Sequence, residues 1–296
     1  MNKIKYLCFG LLLLFQSASG EFISTGMSFL KVPSSGRSAA TMTVFSQLGN
    51  SPLSIFENPV GIATDQTMVS LSHHIWIADV SIDALAISVP LKRSSLGIGL
   101  NYVRIPGIEI RDLPDDDPAA KVEPQYIAVA AGYSWSPWKQ LQVGATVKYL
   151  YEHLYTYSGK GLAFDIAGRR QFPGLLDLTI ALQNVGFSGG NNSPLPTILT
   201  IGLVRPEIFT NDTFNGAFGI NLGSILATSD FKIQTGIQVS CRKLLILRGG
   251  FERVGSVNRE SLGFGIRLDR FSIDYAFLFM PEGFNHPHLI TLSYLP

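Results

Sequence analysis

Nine charged residues set the chemistry open to this sequence: Lys148, Glu152, Asp165, Arg169, Lys232, Arg248, Glu252, Arg267 and Asp274. Each lies in a stretch where apolar and polar residues alternate, and each falls on the polar parity of its stretch. Side chains on a strand change face at every residue, so these nine would share one side of a sheet. Charges of both signs gathered there can pair into a network that fills an interior, or can line a polar path for a permeating solute. The sequence leaves both open.

Other residue types carry less. His73-His74 would point to opposite faces of a strand and cannot hold one metal together, so a surface position is expected for the pair. His286 and His288 share a face but form a lone pair. Ser28-Phe29-Leu30-Lys31 has the S-x-x-K spacing without any partner motif. Gly97-x-Gly99 sits within a strand and opens no helix, so it is no dinucleotide loop. Asp115-Asp116-Asp117 could attract calcium, though a solvated loop is the simpler reading. Cys241 has no histidine near it in sequence. These readings give a non-enzyme with no cofactor and no metal.

The elements that must position the nine are strands. Between Gln140 and Gln183, Val143, Ala145, Val147, Tyr149 and Tyr151 share one parity, as do Leu162, Phe164 and Ile166, then Leu176, Leu178, Ile180 and Leu182. The opposite parity is mixed and polar. That pattern suits a soluble sandwich with one wet face, or a membrane barrel with lipid outside and a polar lumen. Charged residues are only 15% of the chain, against about 25% in an ordinary soluble domain. No later apolar run approaches the roughly 18 residues of a membrane helix.

Lys3 and Lys5, the apolar run Tyr6 to Phe15 and Ala18-Ser19-Gly20 read as a signal peptide over 1–20, with Cys8 too early to be a lipoprotein acceptor. Its removal takes away two lysines and leaves a nearly neutral chain, which argues against nucleic acid. Export, low charge and alternation together favour a barrel in the bacterial outer membrane, with lipid as its surroundings.

Residues 21–66 do not alternate. Gly36 to Phe45 suggests a short helix or tight turn, and Ser54 to Ala63 a second short helix with Asn58 as cap and Pro59 in its first turn. This stretch is suited to fold into the lumen as a plug. From 67 to 296 about 14 alternating segments follow, near 67–78, 81–91, 95–105, 124–135, 140–153, 160–170, 175–184, 197–206, 213–223, 230–241, 243–252, 260–269, 270–279 and 286–295. The expected fold is all-β: an antiparallel transmembrane barrel of about 14 strands with a short, partly helical N-terminal plug. Turns after even strands should be brief. Turns after odd strands should be longer, as at Pro106 to Glu123, Val185 to Pro196, Arg253 to Asn258 and Met280 to Asn285. Inward glycines, among them Gly97, Gly99, Gly144, Gly219, Gly236, Gly250 and Gly263, would leave room for the plug.

Three pieces of the plug carry a resemblance: Gly26-Met27-Ser28-Phe29-Leu30-Lys31-Val32-Pro33, then Gly36-Arg37-Ser38-Ala39-Ala40-Thr41-Met42, then Phe56-Glu57-Asn58-Pro59-Val60-Gly61-Ile62-Ala63. Together they resemble the N-terminal region of PorV/PorQ-family outer-membrane proteins, a family similar to the FadL-type transporters. His74-x-Trp76 and Leu85 to Leu91 resemble its first hairpin. Thr43 stands where that family usually has glycine, and Asn50 where an acidic residue is common. The resemblance implies a 14-stranded barrel with a hatch in which Gly36, Arg37, Ala39, Ala40, Met42, Asn58, Pro59 and Gly61 carry the motif. It implies one of two roles: a component of type IX protein secretion working with secretion-system proteins, or a FadL-like passage for a hydrophobic ligand. A structural barrel or surface adhesin is the third reading. The secretion role comes first because the lumen is expected to be mostly polar and small.

Overall fold

The computed structural model describes residues 25–111, 117–189, 193–281 and 284–296. The expected signal segment, Asp115-Asp116 and Gly190-Asn191-Asn192 lie outside them. The described strands are β1 (Met68–Ile75), β2 (Ser81–Pro90), β3 (Ser94–Arg104), β4 (Ile108–Ile110), β5 (Ala120–Val122), β6 (Gln125–Trp138), β7 (Leu141–Leu154), β8 (Tyr157–Phe172), β9 (Leu176–Gly189), β10 (Ile198–Thr210), β11 (Phe214–Ile225), β12 (Asp230–Cys241), β13 (Leu245–Val254), β14 (Val257–Leu268), β15 (Phe271–Phe279) and β16 (His288–Tyr294).

Fourteen of these close into one antiparallel barrel, in which each strand pairs with its neighbour in sequence and β3 pairs with β6 across the separate β4–β5 hairpin. The seam is β1 with β16, from Val69 opposite Tyr294 to Ile75 opposite His288. Closure leaves no free sheet edge, which is the condition for strands to cross hydrocarbon. Outward side chains form an apolar coat: Leu71, Ile98, Phe164, Ile180, Ile237, Leu247, Leu262 and Ile290 are all exposed. A soluble protein would find such a continuous apolar surface a liability, whereas lipid requires it.

An even strand count brings both ends of the barrel to one rim, here called the terminal rim. Its turns are 91–93, 139–140, 173–175, 211–213, 242–244 and 269–270, each of two or three residues. The opposite, loop rim carries the longer connections 105–124, 190–197 and 280–287. Two of its turns depart from expectation. The turn placed at Arg253 to Asn258 is only 255–256, and 155–156 is equally tight. Gly255 (φ 57°) and Tyr155 (φ 56°) supply the left-handed residues that tight hairpins need, so the strands run on almost to the turn.

Strand β9 also differs. Leu176, Leu178, Ile180 and Leu182 face out as expected, but the strand continues to Gly189. Asn184 has φ 56° and the β8–β9 register shifts between Phe164 and Ile166. This bulge points both Gln183 and Asn184 inward, and reverses parity so that Val185 and Phe187 are exposed.

Residues 25–63 lie inside the barrel. They contain one short helix, α1 (Gly36–Ala40), and single turns of 3-10 helix at Ser28–Lys31, Ser46–Leu48, Pro52–Phe56 and Pro59–Ile62. Ser35 caps α1 by accepting from Ser38 N, and Asn58 caps the last turn by accepting from Val60 N. The expected second helix is thus two 3-10 turns broken at Glu57, with Pro59 placed as the sequence suggests.

Candidate functional site

The site is the interface between the plug and the inner wall. Inward glycines let the plug approach. A Cβ on Gly144 would stand 2.6 Å from the Pro59 carbonyl carbon, one on Gly99 2.9 Å from Ile55 and Phe56, and one on Gly250 2.9 Å from Met42. The plug returns the fit. A Cβ on Gly36 would stand 2.7 Å from the Asp274 carbonyl oxygen, and its N–H donates to Thr291 Oγ1 at 2.8 Å. Ala39 and Ala40 are fully buried against Ala276, Leu278 and Leu289. Gly61 lies against Ser46 O and Ser54, where no side chain fits.

The nine charged residues all face inward, and most are paired. Lys148 Nζ lies 2.6 Å from Asp165, both side chains 0% exposed, and donates to Asn184 Oδ1 and to the plug carbonyl of Phe56 at 3.0 Å. Asp165 also accepts from the Asn184 N–H, so the β9 bulge is part of this anchor. Gln183 donates its side-chain amide to the Glu57 carbonyl. Arg169 holds Asp177 through Nε at 3.2 Å and Nη2 at 2.5 Å, and its Nη1 donates to Gln47 O at 3.1 Å. Glu252 meets Lys232 at 3.0 Å, is bridged by Arg259, and accepts from Gln234. Asp274 meets Arg248 at 2.7 Å and Arg267 at 3.1 Å. Glu152 faces inward beside Tyr157.

Two charged plug residues are partly or wholly shut away. Arg37 donates to Gly49 O at 3.2 Å; burial, aided by the like charges of Arg248 and Arg267, brings its pKa down to about 10, so it stays protonated at neutral pH. Glu57 accepts from Ser34 N at 2.6 Å, Ser34 Oγ at 2.7 Å and Ser38 Oγ at 2.5 Å. Burial pushes its carboxyl above the usual range despite these donors.

The histidine pair corrects an expectation. His73 is on the outer wall, 2.7 Å from Asp83, but His74 is fully buried in the lumen beside Ser72 Oγ at 2.9 Å. Ser72 Oγ in turn bonds Thr291 Oγ1, and the parity that His74 shares with Ser70 and Ser72 marks it as inward. Ser28 and Lys31 both turn to Thr25 and not to each other. Cys241 is a free thiol. Among the described residues no group of three or more metal-ligating side chains forms.

The lumen wall is not uniform, which the expectation of a mostly polar and small interior missed. Its inner surface on β2, β3 and β6 carries Ile82, Ala84, Ala86, Val103, Ala128 and Ala130 and no charge. Against it pack Met27, Phe29, Leu53, Ile55, Phe56 and Ile62 of the plug, with Leu195, Trp76 and Tyr126 toward the loop rim. This apolar column is filled by side chains and is interrupted at Asn101, which lies between Ala84 and Ala128 with its Oδ1 lacking a hydrogen-bond partner. At the terminal rim a vestibule of about 690 Å³ opens below the plug, bordered by Leu48, Asn50, Asp65, Arg93, Trp138 and Arg169.

No protein-family model and no curated protein matches the chain. Solved structures do. The CymD monoaromatic hydrocarbon channel is 12% identical with a TM-score of 0.64, the alignment covering 92% of this chain and 99% of that one. The toluene transporter TodX of Pseudomonas putida is 12% identical with a TM-score of 0.59, covering 85% and 96%. A Pseudomonas aeruginosa FadL homologue is 11% identical with a TM-score of 0.64, covering 89% and 98%. At such identities the shared property is the fold, a closed antiparallel β-barrel.

Proposed function

We propose that this chain resides in the bacterial outer membrane and passes small hydrophobic molecules inward, its terminal rim facing the periplasm. The observation that carries this reading is the apolar column from Trp76, Tyr126 and Leu195 at the loop rim to Ile55, Phe56 and Ile62 in the plug. An uncharged arc holds the plug by apolar packing that has no directional bond to break. An apolar solute needs one, because each polar group it met without a partner would cost it desolvation. The column is filled at rest by plug side chains from Met27 to Ile62, so passage requires the plug to shift along this arc. CymD and TodX, whose names state monoaromatic hydrocarbons and toluene, support the choice of solute class.

The test is uptake of labelled toluene by cells carrying the protein in an otherwise tight outer membrane. Uptake should rise over the empty vector and return to it when Ala130→Trp fills the column. Equal uptake with and without the protein rejects the reading.

A second reading keeps the resemblance of residues 26–63 to PorV/PorQ proteins: a type IX secretion component that binds partner proteins. The anchored plug and the paired charges of the lumen suit a static barrel. Deleting the protein should then strand cargo in the periplasm, and unchanged export removes this role.

A further inference from the structure

Beside the plug, against β9 to β12, lies a narrow, partly open cavity of about 40 Å³. Three oxygens of residues lining it are buried without a hydrogen-bond partner: Gln47 Oε1, Thr179 Oγ1 and Asn221 Oδ1. The three come from the plug, β9 and β11, so they are not one accident of packing. An unpaired buried acceptor costs on the order of 1–3 kcal/mol. Water removes that cost, and at about 10–15 Å³ per molecule roughly three or four fit. Gly202 on β10 keeps the space open, since a Cβ there would stand 2.6 Å from Asn221 Oδ1 and 3.0 Å from Gln47 Nε2.

The lining continues past Thr200 and Gln234 to Lys232 and Lys31, on the side of the loop rim. In the other direction it ends at Gln47. The Gln47 carbonyl accepts from Arg169, and Arg169 itself borders the vestibule. One guanidinium, clamped by Asp177, therefore separates two polar spaces.

We propose that this polar seam is a conduit for water and small anions, distinct from the apolar column and closed at its inner end by Arg169. The sign follows from the walls. Lys31 and Lys232 line the seam and Arg169 closes it. The lining carboxylate, Glu57, is already occupied by Ser34 and Ser38. Lys232 shares its charge with Glu252, and Lys31 Nζ donates to the Thr25 hydroxyl, with Asp230 as the carboxylate near it and Arg259 and Lys232 as like charges. The seam needs no hydrophobic substrate, so it stands or falls apart from the toluene reading.

The experiment is single-channel recording of the full chain in planar bilayers across a KCl gradient. The wild type should conduct weakly. Arg169→Ala with Asp177→Asn, which leaves no buried charge unpaired, should raise conductance at least tenfold with a reversal potential favouring chloride. Adding Gly202→Leu should suppress that gain, and Lys31→Glu should move the reversal potential toward potassium. Heat-modifiable gel migration checks that each variant is folded, and Arg169→Gln serves if the double variant is not. Unchanged conductance in a folded Arg169 variant overturns the proposal. So does a gain that Gly202→Leu leaves intact, which would mean the whole plug had left, or a gain selective for cations.

Discussion

Two arcs of the same inner wall face the same plug and solve the contact differently. Along β2, β3 and β6 the wall offers Ile82, Val103 and alanines, and the plug answers with Phe29, Ile55 and Phe56. Along β12 to β16 the wall offers Gln234 and Thr291 beside the mutually paired Lys232, Arg248, Glu252 and Asp274, and the plug answers with the Thr43 hydroxyl on Gln234 Oε1, the Gly36 N–H on Thr291 Oγ1 and the buried charge of Arg37. The first contact is non-directional and can slide, because apolar surface loses little when one apolar neighbour replaces another. The second is directional. Its hydrogen bonds to the plug hold at one geometry only, so this arc fixes the plug where the first permits movement. A barrel that must open for one class of solute without losing its plug needs both.

The largest expected effect breaks the charged arc. Asp274→Ala leaves Arg248 and Arg267 without their carboxylate and should cost about 3–5 kcal/mol, read as a lower midpoint of urea unfolding in detergent. If the loss were no greater than for an apolar truncation, the contrast between the arcs would be wrong. Next comes the apolar arc. Gly99→Val drives a side chain into Ile55 and Phe56 and should cost about 1–3 kcal/mol. It should lower hydrocarbon uptake as well, whereas Asp274→Ala should loosen the plug without narrowing the column.

Glu57 sits where the two arcs meet and gives a pH signature. Its folded-state pKa is raised by burial. Its contribution is therefore full below the unfolded value, about 4.3, and is lost as pH rises through the folded one. Glu57→Gln should flatten the pH dependence of the unfolding midpoint; a wild-type slope retained in the variant would assign it to another group. The smallest effect is expected at Thr43, a β-branched residue at φ 63°. Thr43→Gly relieves that strain but gives up the 3.3 Å bond to Gln234, so stability should change by less than about 1 kcal/mol. A larger loss would show that the bond, and not the backbone, decides the position.

Alternation made the barrel legible. Lys148, Asp165, Arg169 and Arg248 could be placed inside from parity alone, because a charge facing lipid would be expelled. The same rule is blind within the lumen. It tells inside from outside, but not that Ala128 and Ala130 face Ile55 while Gly250 faces Met42. That depends on how a plug with no repeating pattern is laid against the wall. The β9 bulge was hidden for a related reason, since Asn184 interrupts a period that the chain then resumes on the other parity. His74 reads as a surface residue only when it is taken together with His73; its own parity, shared with Ser70 and Ser72, places it inside. The small β4–β5 hairpin lies in a loop where three-residue strands leave no periodic trace.

The path of residues 25–63 bears on how the molecule is put together. Gly26 donates to Pro194 O among the long connections, while Thr64 meets Ser95 near the opposite rim, so the chain runs lengthwise through a ring that it then builds around itself. A finished ring could not be threaded afterwards by a segment this closely fitted. The joining of β16 to β1 is therefore expected last, and α1, lying on β13 to β16 and most closely on β15 and β14, is placed to gather those strands. Deleting residues 25–63 should slow or prevent that joining in a refolding time course, and a barrel that closes at the normal rate without them would show that the ring needs no core to form around.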